Sequence, residues 1–176
     1  MATKYRLQEI NQLKNSDIFV DANILIYLFW PTGSQDYEQK YASAYNLLLK
    51  QGNKLYINFL VVSEVVNVAL RIEHKKYNDS NINKVDFKIY RDSQYGKEVL
   101  EDIYTIVKED ILNRSEIIDK ALSKEEIEKF LVVEDIDIND KAIVEVCKEN
   151  NMILLTNDRD FRNTNINLLS CNNKLF

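Results

Sequence analysis

Apolar residues along this chain fall into two patterns. Short continuous runs of strand length alternate with longer stretches in which apolar positions recur at helical spacing. Two of the short runs are followed closely by carboxylates. Ile18-Phe19-Val20 stops at Asp21-Ala22-Asn23, and Met152-Ile153-Leu154-Leu155 stops at Thr156-Asn157-Asp158. Residues 17 to 20 read as the first strand, with a helix following from about Ala22 that Pro31, Thr32 and Gly33 bring to an end. Tyr37, Tyr41, Tyr45, Leu48 and Leu49 mark a second helix, with Gly52 as its C-cap. Lys54 to Asn58 reads as a strand, and Val61, Val62, Val65, Val66, Ala69 and Ile72 as a helical stripe.

Ahead of the first strand, residues 4 to 14 predict a short amphipathic helix. After the polar break Asn78-Asp79-Ser80-Asn81 comes a long charged region, helical by the spacing of Val99, Leu100, Ile103, Ile106, Val107 and Ile111. Glu116 to Ile118 fits a strand, Ser123 with Glu126 a capping box, Ala142, Ile143, Val146 and Cys147 a helix, and Leu168-Leu169 a last edge strand. Strands alternating with helices predict an α/β fold: a three-layer α/β/α sandwich with a mostly parallel sheet of four to five strands. One domain over residues 1–176 is the expectation, with an extra N-terminal helix at about 4–14 and an enlarged helical insertion at about 78–114.

Composition narrows the chemistry. The chain has 176 residues, one histidine (His74) and three glycines. That leaves little for zinc sites, Ser-His-Asp catalysis or glycine-rich phosphate loops. Its formal net charge of −5 argues against a broad basic nucleic-acid surface. Cys147 and Cys171 form no disulfide framework, so a reduced, cytoplasmic setting is expected. The opening residues Met1 to Glu9 lack the apolar core of a signal peptide, and the most apolar runs are broken by Asp21 and Glu64, so no membrane span is expected.

Four acids remain as candidates. Asp21 follows the first strand, Glu64 lies early in the helix after the second, Asp140 opens a later helix, and Asp158 follows the strand ending at Leu155. In a parallel sheet all four emerge at the strands' carboxyl edge, where ligands of open α/β sheets bind. Clustered like charges repel and raise one another's pKa. A hard divalent cation, Mg²⁺ or Mn²⁺, removes that penalty with oxygen ligands alone. Singly, each acid has a plainer reading: Asp21 as a helix N-cap, Asp140 as an acid favoured by a helix dipole, Asp158 and Asp160 as turn residues. Glu64 is harder to explain that way, because it interrupts an apolar run.

Val20-Asp21-Ala22-Asn23, Ser63-Glu64, Asp140-Lys141-Ala142-Ile143 and Thr156-Asn157-Asp158-Arg159-Asp160-Phe161 together resemble the PIN-domain ribonucleases, and the compact chain resembles the VapC toxins of bacterial toxin–antitoxin pairs. The resemblance implies an endoribonuclease in which Asp21, Glu64, Asp140 and Asp158 hold Mg²⁺ or Mn²⁺ and a metal-activated water hydrolyses RNA. Asn23, Thr156, Ser63 and Asp160 would orient or support those ligands from behind. It also implies a homodimer and an antitoxin protein that covers the acidic groove. Arg71, two turns after Glu64, is a candidate contact to a substrate phosphate, against the plainer reading of a cation near a helix C-terminus. His74 reads as a surface residue without a partner. The Tyr37, Tyr41 and Tyr45 stripe and Trp30 read as packing or a subunit interface. Two other readings stand beside the nuclease: a phosphatase of the haloacid dehalogenase kind, and a non-catalytic PIN fold that binds RNA or protein.

Overall fold

The computed structural model describes residues 2–31 and 33–176, so Met1 and Thr32, the latter part of the expected helix stop, lie outside the described residues. Its centre is a six-stranded sheet in the order β1-β6-β5-β2-β3-β4. The strands are β1 (Lys4–Arg6), β2 (Asp17–Val20), β3 (Lys54–Ile57), β4 (Glu116–Ile117), β5 (Ile153–Leu155) and β6 (Asn167–Ser170), and every pairing between neighbours is parallel. Among the described residues, seven α-helices run between them: α1 (Ala22–Phe29), α2 (Gln35–Lys50), α3 (Phe59–Ser80), α4 (Phe87–Asp92), α5 (Gln94–Ile106), α6 (Lys124–Phe130) and α7 (Ile138–Glu149). The expected α/β architecture, a parallel sheet flanked by helices, is what forms, with six strands where four to five were expected.

The central strands β2 and β5 are continuous apolar runs because both of their faces are covered. Ile18, Phe19, Val20, Leu154 and Leu155 are all fully buried, the pattern of a parallel sheet between helical layers. Each such side chain contributes roughly 1.5–3 kcal/mol on leaving water. The register pairs Ile18 with Ile153 and Val20 with Leu155. From β2 the chain moves outward to β3, and from β5 it moves the other way to β6. The β2–β5 boundary is therefore the topological switch point of the sheet, where a crevice opens beyond the strand ends.

Local chemistry sets the helix limits. The left-handed backbone at Gly52 (φ 78°), just past α2, turns the chain into β3. Asn58 is buried and its side chain accepts from the Val61 amide at 3.0 Å, opening α3. Ser123 and Glu126 form the expected capping box on α6. Helix α5 runs on into a π-helical turn, Val107–Ile111, that buries Val107 and Ile111. At Gly96 the start of α5 lies so close to α4 that a Cβ would stand 2.0 Å from the Tyr90 carbonyl oxygen.

Four expectations need correction. Residues 4 to 14 are not one helix: Lys4–Arg6 is a strand paired with Leu168–Ser170, and only Leu7–Gln12 is helical, as a 3₁₀ segment. Leu168-Leu169 consequently lies inside the sheet, with β1 at its edge. The polar break comes later than expected, since α3 continues to Ser80. His74 is half-buried with partners: its Nε2 lies 2.8 Å from the Val85 carbonyl oxygen and 2.9 Å from Asn78 Nδ2, and its ring packs between Phe87 and Tyr90. It fastens the loop after α3 to that helix.

Because the Asn58 side chain satisfies a buried amide at the start of the helix that carries Glu64, Asn58→Ala is expected to cost about 1–2 kcal/mol of stability. Urea unfolding of the two proteins measures this, and an unchanged midpoint would contradict the capping role.

Candidate metal centre

Asp21 is the first residue beyond β2. Its amide continues the ladder by donating to the Leu155 carbonyl at 3.1 Å. It occupies the N-cap position of α1, yet its side chain makes no capping hydrogen bond. The carboxylate turns instead to Thr156, the first residue beyond β5, whose hydroxyl donates to Asp21 Oδ2 at 2.6 Å. Asn23 Nδ2 donates to the same oxygen at 2.5 Å. Asn23 Oδ1 in turn accepts from the Asn157 amide at 3.1 Å, which ties the start of α1 to the loop after β5. Thr156 is fully buried, and its hydroxyl also accepts from the Asp158 amide at 2.9 Å. One hydroxyl thus fixes the positions of two acids.

Asp158 opens a 3₁₀ turn, Arg159–Asn163, and its Oδ1 accepts from the Asp160 amide at 3.0 Å. Asp160 therefore supports Asp158 through its backbone, while its carboxylate is exposed beside the Arg159 guanidinium at 3.6 Å. Asp140 lies in the first turn of α7, whose N-cap is Asp137; the Asp137 side chain accepts from the Asp140 amide at 2.9 Å. Glu64 projects from the second turn of α3 and is solvent-accessible. Among the described residues, the Ser63 hydroxyl hydrogen-bonds to none of the acids; its carbonyl accepts from Asn67 within α3. Arg71 lies apart from the cluster, stacked 4.4 Å over the Phe87 ring.

The acids act on one another electrostatically. Burial, and then the charges of Glu64 and Asp158, push the Asp21 carboxyl up to about 7 despite the Thr156 hydroxyl. Burial, followed by Asp137, Asp21, Asp158 and Glu64, pushes Asp140 up to about 8. Partial burial, then Asp137 and Asp158, raises Glu64. The four acids expected from sequence share one electrostatic environment, and Asp137 joins them. Asp137 carried a legible signal, an acid three residues before Asp140 at N-cap spacing. Among the described residues, no basic side chain offsets these charges. Lys141, next to Asp140, is buried with its ammonium on the Phe130 and Val132 carbonyls and the Glu134 carboxylate, 2.9 Å away in the last case.

All the candidate donors are carboxylate oxygens, the set that hard divalent cations prefer. Burial and neighbouring acids push two of those carboxylates, Asp21 and Asp140, toward the neutral form, a penalty that a bound cation would offset. By donor chemistry and charge the residues therefore fit Mg²⁺ or Mn²⁺. Among the described residues, no three acidic, imidazole or thiol groups stand together as a finished cage, so closing a shell requires side-chain movement.

The raised values set a sign for stability. Asp21 and Asp140 bind protons more tightly folded than unfolded, so their contribution to stability is greatest at low pH and declines as pH rises from about 4 toward about 8. Without divalent ions, the thermal midpoint of Asp21→Asn is expected to gain on that of the unaltered protein across this range. A constant difference between the two melting curves would contradict the assignment.

Comparison with known proteins adds the family. The fold is similar to FitAcB from Neisseria gonorrhoeae at 14% identity and TM-score 0.52, covering 86% of this chain and 96% of that one. VapBC2 from Rickettsia felis, solved bound to a DNA fragment from its promoter, matches at 22% identity and TM-score 0.48 over 88% and 98% of the two chains. PAE2754 from Pyrobaculum aerophilum matches at 16% identity and TM-score 0.48 over 93% and 95%. No curated protein sequence matches. The PIN domain family model matches residues 18–167, from β2 through the start of β6 and across every acid of the cluster. The chain belongs to the PIN domain family.

Proposed function

We propose that this protein is an endoribonuclease dependent on Mg²⁺ or Mn²⁺ that hydrolyses RNA phosphodiester bonds. The observation that carries the reading is the convergence of Asp21, Glu64, Asp140 and Asp158 on one environment without a neutralising side chain. The four carboxylates would hold a hard divalent ion, and that ion would supply an acidified water and charge stabilisation for phosphodiester hydrolysis. The chain's own groups prepare the site. Thr156 and Asn23 fix the Asp21 carboxylate, and the Asp160 amide fixes Asp158. Direct hydrolysis of this kind requires no histidine or serine, and it leaves 5′-phosphate and 3′-hydroxyl ends.

The likeness to VapC toxins extends the reading to a cytoplasmic toxin inhibited by a cognate antitoxin and assembled as a homodimer. Leu131, Val132 and Val133, just after α6, are exposed and offer apolar area to such partners. Among the described residues, no helix is long and apolar enough to cross a membrane. The phosphatase alternative needs an acid two residues after Asp21. That position is Asn23, with both ends of its amide already engaged. A purely binding PIN fold has no need of four intact acids.

Incubation with mixed-sequence RNA and Mg²⁺ is expected to give cleavage with 5′-phosphate ends. Asp21→Asn is expected to lose activity about 100-fold or more, and Asn23→Ala about 10- to 100-fold. Cyclic 2′,3′-phosphate ends, or full activity in Asp21→Asn, would overturn the mechanism.

A further inference from the structure

Next to the acid cluster lies a second recess, a cavity of about 400 Å³ whose wall includes Asn23 and Asp158. Its volume falls within the roughly 300–1,000 Å³ of small-ligand sites. We infer that this recess, framed by Tyr27, Tyr37, Asn157, Arg159, Asn172 and Lys174, holds one unpaired nucleotide of the RNA strand beside the bond that is cut. Its base lies against the tyrosine rings and its phosphate on the two cations. The inference rests on the nuclease reading and names how that site grips its substrate.

The walls are built before any ligand arrives. The Tyr41 hydroxyl, buried, lies 2.9 Å from Asn157 Oδ1 and accepts from the Cys171 amide. Asn157 Nδ2 donates to the Tyr27 hydroxyl at 3.0 Å, and Asn172 Nδ2 donates to the Asn157 carbonyl at 2.6 Å. The Tyr27 ring stacks on Tyr41 with centroids 5.8 Å apart and planes 4° apart, and Tyr37 tilts against it at 6.0 Å. Since Asn157 engages a lone pair of the Tyr27 hydroxyl, that group keeps its proton for an acceptor on a ligand.

Charge points the same way. The chain's net charge is −5, yet this rim is cationic. Arg159 is 70% exposed and only loosely near Asp160 at 3.6 Å, a contact that solvent screens. Lys174 makes no ion pair among the described residues. An adjoining cavity of about 380 Å³ shares Arg159 and Lys174 and adds Arg162 along with Asp135 and Asp160, so three cations there outnumber two carboxylates. Cations tracking a backbone beside aromatic faces are what single strands need. A helical protein segment would instead need an apolar groove, and these walls are amides, hydroxyls and charges.

The test is fluorescence anisotropy of a short mixed-sequence single-stranded RNA in Ca²⁺, with steady-state cleavage of the same RNA in Mg²⁺. Arg159→Ala/Lys174→Ala is expected to weaken binding about tenfold and to reduce the log–log salt slope by about 1.4, at about 0.7 per phosphate contact. KM should rise while kcat holds within about twofold. Tyr37→Ala should weaken binding about fivefold or more. Tyr27→Phe, which keeps the ring and its stacking, should cost a smaller factor. Lys97→Ala/Lys108→Ala, an equal charge loss on exposed positions of α5 and the π turn, serves as the control.

Equal salt slopes and affinities in the Arg159/Lys174 and control pairs would overturn the inference while wild-type cleavage left the nuclease reading standing. Unchanged RNA binding with loss of inhibition by an antitoxin would also overturn it, assigning the recess to protein. RNA that binds through these residues yet stays uncut would support the recess and overturn the nuclease reading.

Discussion

The pairing of β2 with β5 is the constraint on which the site depends. Parallel register sets Val20 beside Leu155 and carries the ladder one residue further, through the Asp21 amide to the Leu155 carbonyl. Residues from positions far apart in the chain therefore leave the sheet as neighbours. The Thr156 hydroxyl can reach Asp21 and also receive the Asp158 amide only in this register. A one-residue slip would turn each side chain to the opposite face, breaking the contact and the core together. Full burial of Phe19 and Leu154 holds the register against such a slip.

Around that fixed point the charges are left unresolved. The groups touching Asp21 are an amide and a hydroxyl, neutral donors that orient a carboxylate without cancelling it. The nearest buried cation, Lys141, is taken up by the Phe130–Glu134 loop. Burial and mutual repulsion then make the anionic forms of Asp21 and Asp140 unfavourable. A protein selected only for stability would relieve this with apolar residues or an internal ion pair. Carboxylates perturbed in this way make the cluster a candidate functional site. Just outside it Arg159, Arg162 and Lys174 outnumber the carboxylates of Asp135 and Asp160.

Much of this was legible from residue order. The runs at residues 18–20 and 152–155 are buried strands, and the acids beyond them end at the same sheet edge, as parallel pairing requires. Element β1 escaped because three residues carry no measurable period. Lys4–Arg6 becomes a strand only by pairing with a segment at the far end of the sequence. The same non-local contact moved Leu168-Leu169 from edge to interior. His74 misled because a lone polar residue gives no sign of its partners; Val85 and Phe87 reach it only through the fold of the following loop. Asp137 was readable as an N-cap, yet its influence on Asp140 and Glu64 depends on how α7 faces α3. Tyr41 belonged to a helical stripe, and nothing in the spacing distinguishes a packing ring from one whose hydroxyl braces the ends of β5 and β6.

The central claim is that these acids form a single site for a hard divalent ion. Calorimetric titration of Mn²⁺ near neutral pH, into the unaltered protein and into Asp21→Asn and Asp140→Asn, tests it most directly. Saturable binding to the unaltered protein, weakened at least about tenfold in both variants, is the predicted result. Identical titrations for all three proteins would contradict it.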